Sequence, residues 1–176
     1  HVKRHSFPTR RSSDLAALLG ARGASARLLG PGEAIDKADG LIDLGAFAAR
    51  DAREGSLAVR ALFDHLKRAG EIGLGVVLAA TTLGAPFGAE GEIPRAGVAG
   101  LIKTAVRDLP GLVARVIGLD PTEPASRLAE QLVDELRTRD AQLEVAHVGG
   151  ARKALSPVAA DRSRSGPDGP ALHLGP

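Results

Sequence analysis

The chain has 176 residues, a formal net charge of +2, and no Cys, Met, Trp or Tyr. Four of the 23 basic residues and one of the 21 acidic ones fall in the first fifteen positions, leaving 19 against 20; the basic isoelectric point of about 9.4 is therefore no argument for nucleic acid. Lack of cysteine excludes disulfides and thiolate metal sites. Outside the first fifteen residues the aromatics are Phe47, Phe63 and Phe87, too scattered to stack bases. No apolar run approaches the ~20 residues that span a bilayer and no secretory h-region is present, so a soluble domain is the expectation, and the lack of cysteine is compatible with a cytoplasmic one.

The segment His5 to Leu15, HSFPTRRSSDL, resembles the translation of a common sequencing-library adapter. Residues 1–15 are accordingly expected to be artefactual and disordered, to pack against nothing specific except for some helix near Ser12 to Leu15 capped by Ser13 or Asp14, and to leave natural sequence starting near Ala16. Ala16 to Ala21 reads as the tail of a helix closed by Gly23. Ala26 to Leu29 reads as a short strand broken by Gly30-Pro31-Gly32, and Leu41 to Leu44 as a second, bracketed by Gly40 and Gly45. From Ser56, a plausible N-cap, to Ala69 the residues Val59, Leu62, Phe63 and Leu66 have helical spacing, and Gly70 is expected to close the helix.

Gly75 to Ala80 is a continuous apolar run of the kind a buried strand needs. From Gly97 to Leu109 the apolar positions Val98, Leu101, Ile102, Ala105, Val106 and Leu109 recur at steps of three and four, lining up one wide helix face. Pro110 ends that helix. The run Leu112 to Leu119 suits a central parallel strand covered on both faces, neighbour to Gly75–Ala80. Asp120-Pro121-Thr122-Glu123 offers either of two caps for a helix carrying Leu128, Leu132 and Leu136. Leu143 to Val148 alternates like a strand nearer a sheet edge. Strands alternating with helices imply right-handed βαβ units and a parallel sheet with helices on both faces. Ser156 to Pro176, with four Pro and three Gly, reads as a linker.

Few residues offer chemistry. Gly30-x-Gly32 and Gly73-x-Gly75 lack the third glycine and the strand-to-helix context of a dinucleotide turn. Thr81 and Thr82 sit at a strand end, where α/β folds place ligands. His65 and His147 have no ligand at metal spacing on a shared face; His65 is expected on a solvated helix surface and His147 on the exposed side of a strand. Glu130, Asp134 and Glu135 interleave with Arg127 and Arg137 as on a solvent face. Lys103 reads as a solvated or stem-packed lysine. No catalytic, cofactor-binding or metal-binding residue is expected within the chain.

Gly-Leu-Ile-Lys-Thr-Ala, Arg-Asp-Leu-Pro and Val-Ile-Gly-Leu-Asp-Pro within Gly97–Pro121, with Asp39-Gly-Leu-Ile-Asp-Leu and Gly149-Gly150-Ala151-Arg152 behind Glu144-Val145, resemble the ketoreductase regions of polyketide synthases and polyunsaturated fatty acid synthases. More specifically, they resemble the first, structural and non-catalytic half of such a region. The resemblance implies an α/β, Rossmann-like three-layer sandwich over 16–155, mainly parallel, degenerate and truncated at its first strand, with 156–176 linking to a catalytic subdomain. The family reduces a β-ketoacyl thioester held on an acyl carrier protein, with NADPH, through short-chain dehydrogenase/reductase machinery; those implied partners and that cofactor belong to the parent. Its proton donor is a Tyr four residues before a Lys, and this chain has Ala99 before Lys103. Two rivals are a stand-alone short-chain dehydrogenase, which needs a Tyr and a glycine turn, and a flavodoxin-like binding module. The latter needs charged or aromatic groups converging at the strand ends.

Overall fold

Among the described residues, Pro110 and the glycines that punctuate the chain separate ten elements. The computed structural model describes residues 9–30, 33–83 and 93–155. In chain order they form α1 (Thr9–Ala21), β1 (Gly40–Asp43), α2 (Gly45–Ala48), α3 (Ala52–Ile72), β2 (Val76–Thr82), α4 (Ile93–Asp108), β3 (Val113–Leu119), α5 (Ala125–Arg137), β4 (Glu144–Val148) and β5 (Ala151–Ala154). The five strands make one sheet in the order β1-β2-β3-β4-β5. The first four are parallel and β5 joins β4 antiparallel. This is a mainly parallel, Rossmann-like α/β sandwich. The two continuous apolar runs are neighbours in its interior, with Val76–Thr82 paired in register to Val113–Leu119.

Alternation along the strands sends side chains to two layers. Val77, Ala79, Ala114 and Val116 pack with Leu62, Leu66 and Ala69 of α3 and with Val98, Ile102 and Ala105 of α4. Leu78, Ala80, Ile117, Leu119 and Val145 pack on the other face with Leu128, Ala129, Leu132 and Val133 of α5, Leu15 of α1 and Phe47 of α2. The strands are laid down in one direction, yet α5 lies on the face opposite α3 and α4. The β3–α5–β4 connection therefore has the opposite hand to the two crossovers before it. Right-handed crossovers throughout, the rule for such units, are not what this chain adopts.

Several boundaries differ from the sequence reading. Asp51, not Ser56, caps α3, its carboxylate accepting from the Glu54 N–H at 2.8 Å; the Ser56 hydroxyl instead donates back to the Ala52 carbonyl. Gly70 lies within α3, where a Cβ would meet Leu109 Cδ2 of the segment after α4 at 2.7 Å. The helix closes at Gly73, whose φ of 69° is left-handed, a backbone conformation that glycine adopts freely.

Ala26–Leu29 forms no strand. Gly30 and Glu33 close a turn through Glu33 N to Gly30 O and Gly30 N to Glu33 Oε2, which folds this segment back so that Arg27 reaches the Ala34 carbonyl. Neither Asp120 nor Thr122 caps α5, which starts after Pro124 without a side-chain cap. β4 lies near the sheet edge, as its alternation predicts, but β5 is added outside it, because Gly149 and Gly150, both with positive φ, turn the chain as a two-residue hairpin requires.

α1 begins inside the adapter-like stretch, and Leu15 is 6% exposed in the α5 layer. The expectation that residues 1–15 pack against nothing thus fails at Leu15, because a leucine on a helix over an apolar face is buried whatever its origin. Residues 1–8, the Pro31-Gly32 pair, the segment 84–92 that follows Thr81 and Thr82 with Phe87 in it, and the expected linker 156–176 lie outside the described residues.

Candidate functional site

The densest polar constellation among the described residues is built where α5, β3 and the β4–β5 hairpin meet. Arg115 sits in β3 on the same face as Ile117 and Leu119, so its side chain is directed under α5 and is only 3% exposed. A buried guanidinium is costly unless its donors are all met. Nε donates to the Gln142 carbonyl at 2.9 Å, and Nη1 to the Glu135 carbonyl at 3.2 Å and Glu135 Oε2 at 2.6 Å. Nη2 donates to the Asp140 carbonyl at 3.1 Å and to Asp140 Oδ1 at 2.6 Å. Those bonds use all the N–H groups that a guanidinium has.

Glu135 is the hub, 2% exposed. Its Oε1 accepts from Arg152 Nε at 2.6 Å and lies 3.0 Å from His147 Nε2, while Oε2 accepts from Arg115 and from Arg152 Nη2 at 3.1 Å. Burial alone would raise its pKa, but the hydrogen bonds from His147, Arg152 and Arg115 outweigh it and hold the carboxyl at about 2. Arg152 is raised in turn, first by its hydrogen bond to Glu135. Both sequence expectations fail here. Glu135 does not face solvent, and His147 is turned inward, its side chain 11% exposed, because β4 is covered by β5 on one side and α5 above.

Chemically the cluster is saturated. Arg115 has no donor left for a ligand, and both Glu135 oxygens are doubly engaged, so it has no lone pair with which to take a proton from a substrate. What the arrangement does is tie the end of α5, the Asp140–Gln142 connection and the hairpin to the sheet.

The other candidates are simpler. Asp43 ends β1, where its Oδ1 accepts from the Gly45 N–H at 2.9 Å and Oδ2 lies 3.3 Å from His65 Nδ1. His65 is therefore half-buried against the sheet rather than on a solvated surface, and it joins α3 to the β1–α2 corner. Lys103 of α4 pairs its ammonium with Glu144 at the start of β4, so its head is ion-paired and half-exposed rather than only solvated.

Thr81 is buried and Thr82 half-buried at the end of β2. Asp120, after β3, accepts from the Thr122 hydroxyl at 2.7 Å and the Thr122 N–H at 2.9 Å. Those bonds hold its carboxyl below its usual value. Gly73 serves as the α3 cap and Gly75 precedes β2. Among the described residues no three His, Asp or Glu side chains form a metal-binding group, and no helix is long and apolar enough to cross a membrane.

The sequence reading missed Arg115 and Arg152. The signal for the first was a lone arginine inside an apolar strand, which demands a buried acceptor; for the second it was Gly149-Gly150, a two-residue hairpin turn that adds a strand. No protein-family model, curated protein or solved structure matches the chain.

Proposed function

We propose that the chain is the structural half of a ketoreductase region in a polyketide or polyunsaturated fatty acid synthase, supporting a catalytic half of the same polypeptide. The observation that carries this is the position of the run Gly97–Pro121. Its helix, proline stop and apolar strand are α4, Pro110 and β3, the centre of a parallel sheet covered on both faces. The polar groups support it too. The one buried charge cluster among the described residues is spent on holding secondary structure together, as a scaffold's would be. Reduction then belongs to the companion half, which binds NADPH and receives the β-ketoacyl group from an acyl carrier protein in the cytoplasm.

The test is a titration of the purified chain with NADPH, followed by nicotinamide fluorescence, beside the same chain extended through the downstream half of its parent. Saturable binding is expected for the extended polypeptide alone. Micromolar binding or turnover of a β-ketoacyl thioester by the chain by itself would overturn the proposal in favour of a self-sufficient dehydrogenase.

A further inference from the structure

β5 buries almost nothing. Ala151, Arg152, Lys153 and Ala154 are all exposed, so apolar burial, the dominant favourable term in docking an element, contributes little to holding this strand. Among the described residues β5 is an edge strand, with β4 as its one neighbour in the sheet.

Beyond its backbone ladder to β4, what anchors it is one side chain. Arg152 lies opposite His147 in the β4–β5 register, and its guanidinium meets two carboxylates, Glu135 of α5 at 2.6 and 3.1 Å and Asp140 at 2.9 Å. That receptor is built without β5. Glu135 is held by Arg115 and His147, and Asp140 by Arg115. Lys153, the other cation of the strand, alternates to the opposite face and takes no part.

We propose that Arg152 is a latch: its forked contact with Glu135 and Asp140 docks the β5 edge strand, and its release frees β5 while the rest of the sheet stays folded. The edge uncovered would be β4, whose Val145 and Ala146 are buried and which carries no lysine or proline to discourage pairing with another strand. Among the described residues, the latch therefore governs whether the sheet ends on a short, basic, blunted strand or on an adhesive one. It also sets the position of Leu155, which follows directly, its N–H donating to the Glu144 carbonyl at 3.3 Å.

Hydrogen exchange read by mass spectrometry over 144–155 tests this in the intact chain, with Arg152→Ala, Arg152→Lys and the control Lys153→Ala. Loss of a charge-assisted contact is expected to speed exchange of the β5 amides by roughly ten- to hundredfold in R152A, with β2 and α3 unchanged. K153A should match the parent. R152K should recover only part of the protection, because an ammonium cannot fork across two carboxylates. Equal exchange in R152A and K153A would overturn the latch, as would full recovery in R152K. So would acceleration spread evenly through β2 and α3, which marks loss of global stability instead of local release.

Discussion

Arg115 and Glu135 show how one buried charge dictates its surroundings. Breaking such a pair by removing one partner costs about 3–5 kcal/mol, and Arg115→Met should lose stability on that scale in urea unfolding followed by circular dichroism, although the methionine fits the apolar strand. A loss below about 1 kcal/mol would mean that the remaining Arg152 contact suffices. The same hub gives a pH dependence. The folded pKa of Glu135 is about 2 against an ordinary 4.5, so its contribution is fully present above pH 4.5 and is lost as the pH falls toward 2. Linkage makes that roughly 3 kcal/mol. Glu135→Gln should flatten the fall of unfolding free energy in this acid window relative to the parent, and an unchanged slope would count against a depressed carboxyl. The pair was partly legible in the sequence. Position 135 follows Leu128 by seven and Leu132 by three, on the apolar side of the helix, but an acidic residue among arginines reads as solvated until the arginine beneath it is noticed.

The elements themselves were legible where burial is continuous and obscure where a local contact decides. β2, β3 and α4 follow from uninterrupted apolar runs and helical spacing, because a doubly covered strand or a wide apolar face leaves few alternatives. Ala26–Leu29 has the same composition as a strand, yet the Gly30–Glu33 turn leaves it without a ladder. α3 starts at Asp51 rather than Ser56 because a carboxylate at that position meets the Glu54 N–H, and both residues are good caps on propensity. α1 offers a sharp test. Leu15 is buried against α5, and Leu15→Ala should cost about 2–4 kcal/mol, while deleting residues 1–12, which leaves Leu15 in place, should change the thermal midpoint by no more than a degree or two. If the deletion proves as costly as the substitution, the preceding residues carry packing of their own.

At the scale of the molecule, one sheet separates two apolar layers, and the reversed hand of the β3–α5–β4 connection is what puts α5 and α1 on their own face. Had α5 followed the hand of the earlier crossovers, it would have joined α4, and Ile117, Leu119 and Arg115 would have been left facing water. Its apolar stripe and Glu135 match that face, which explains why the chain adopts the less common connection. The two layers share β2 and β3, so neither can melt without exposing the back of the other. Ile102 in the α3–α4 layer and Leu132 in the α5 layer are both nearly inaccessible, and Ile102→Ala and Leu132→Ala should each cost about 2–5 kcal/mol. On opposite sides of the sheet and sharing no partner, they should add within about 0.5 kcal/mol in the double variant. The chain has no Trp or Tyr, so the two layers are best followed by far-ultraviolet circular dichroism together with methyl resonances of Ile102 and Leu132. One coincident transition is expected for both probes; separate midpoints would show that the sheet does not couple its two faces and that each layer folds on its own.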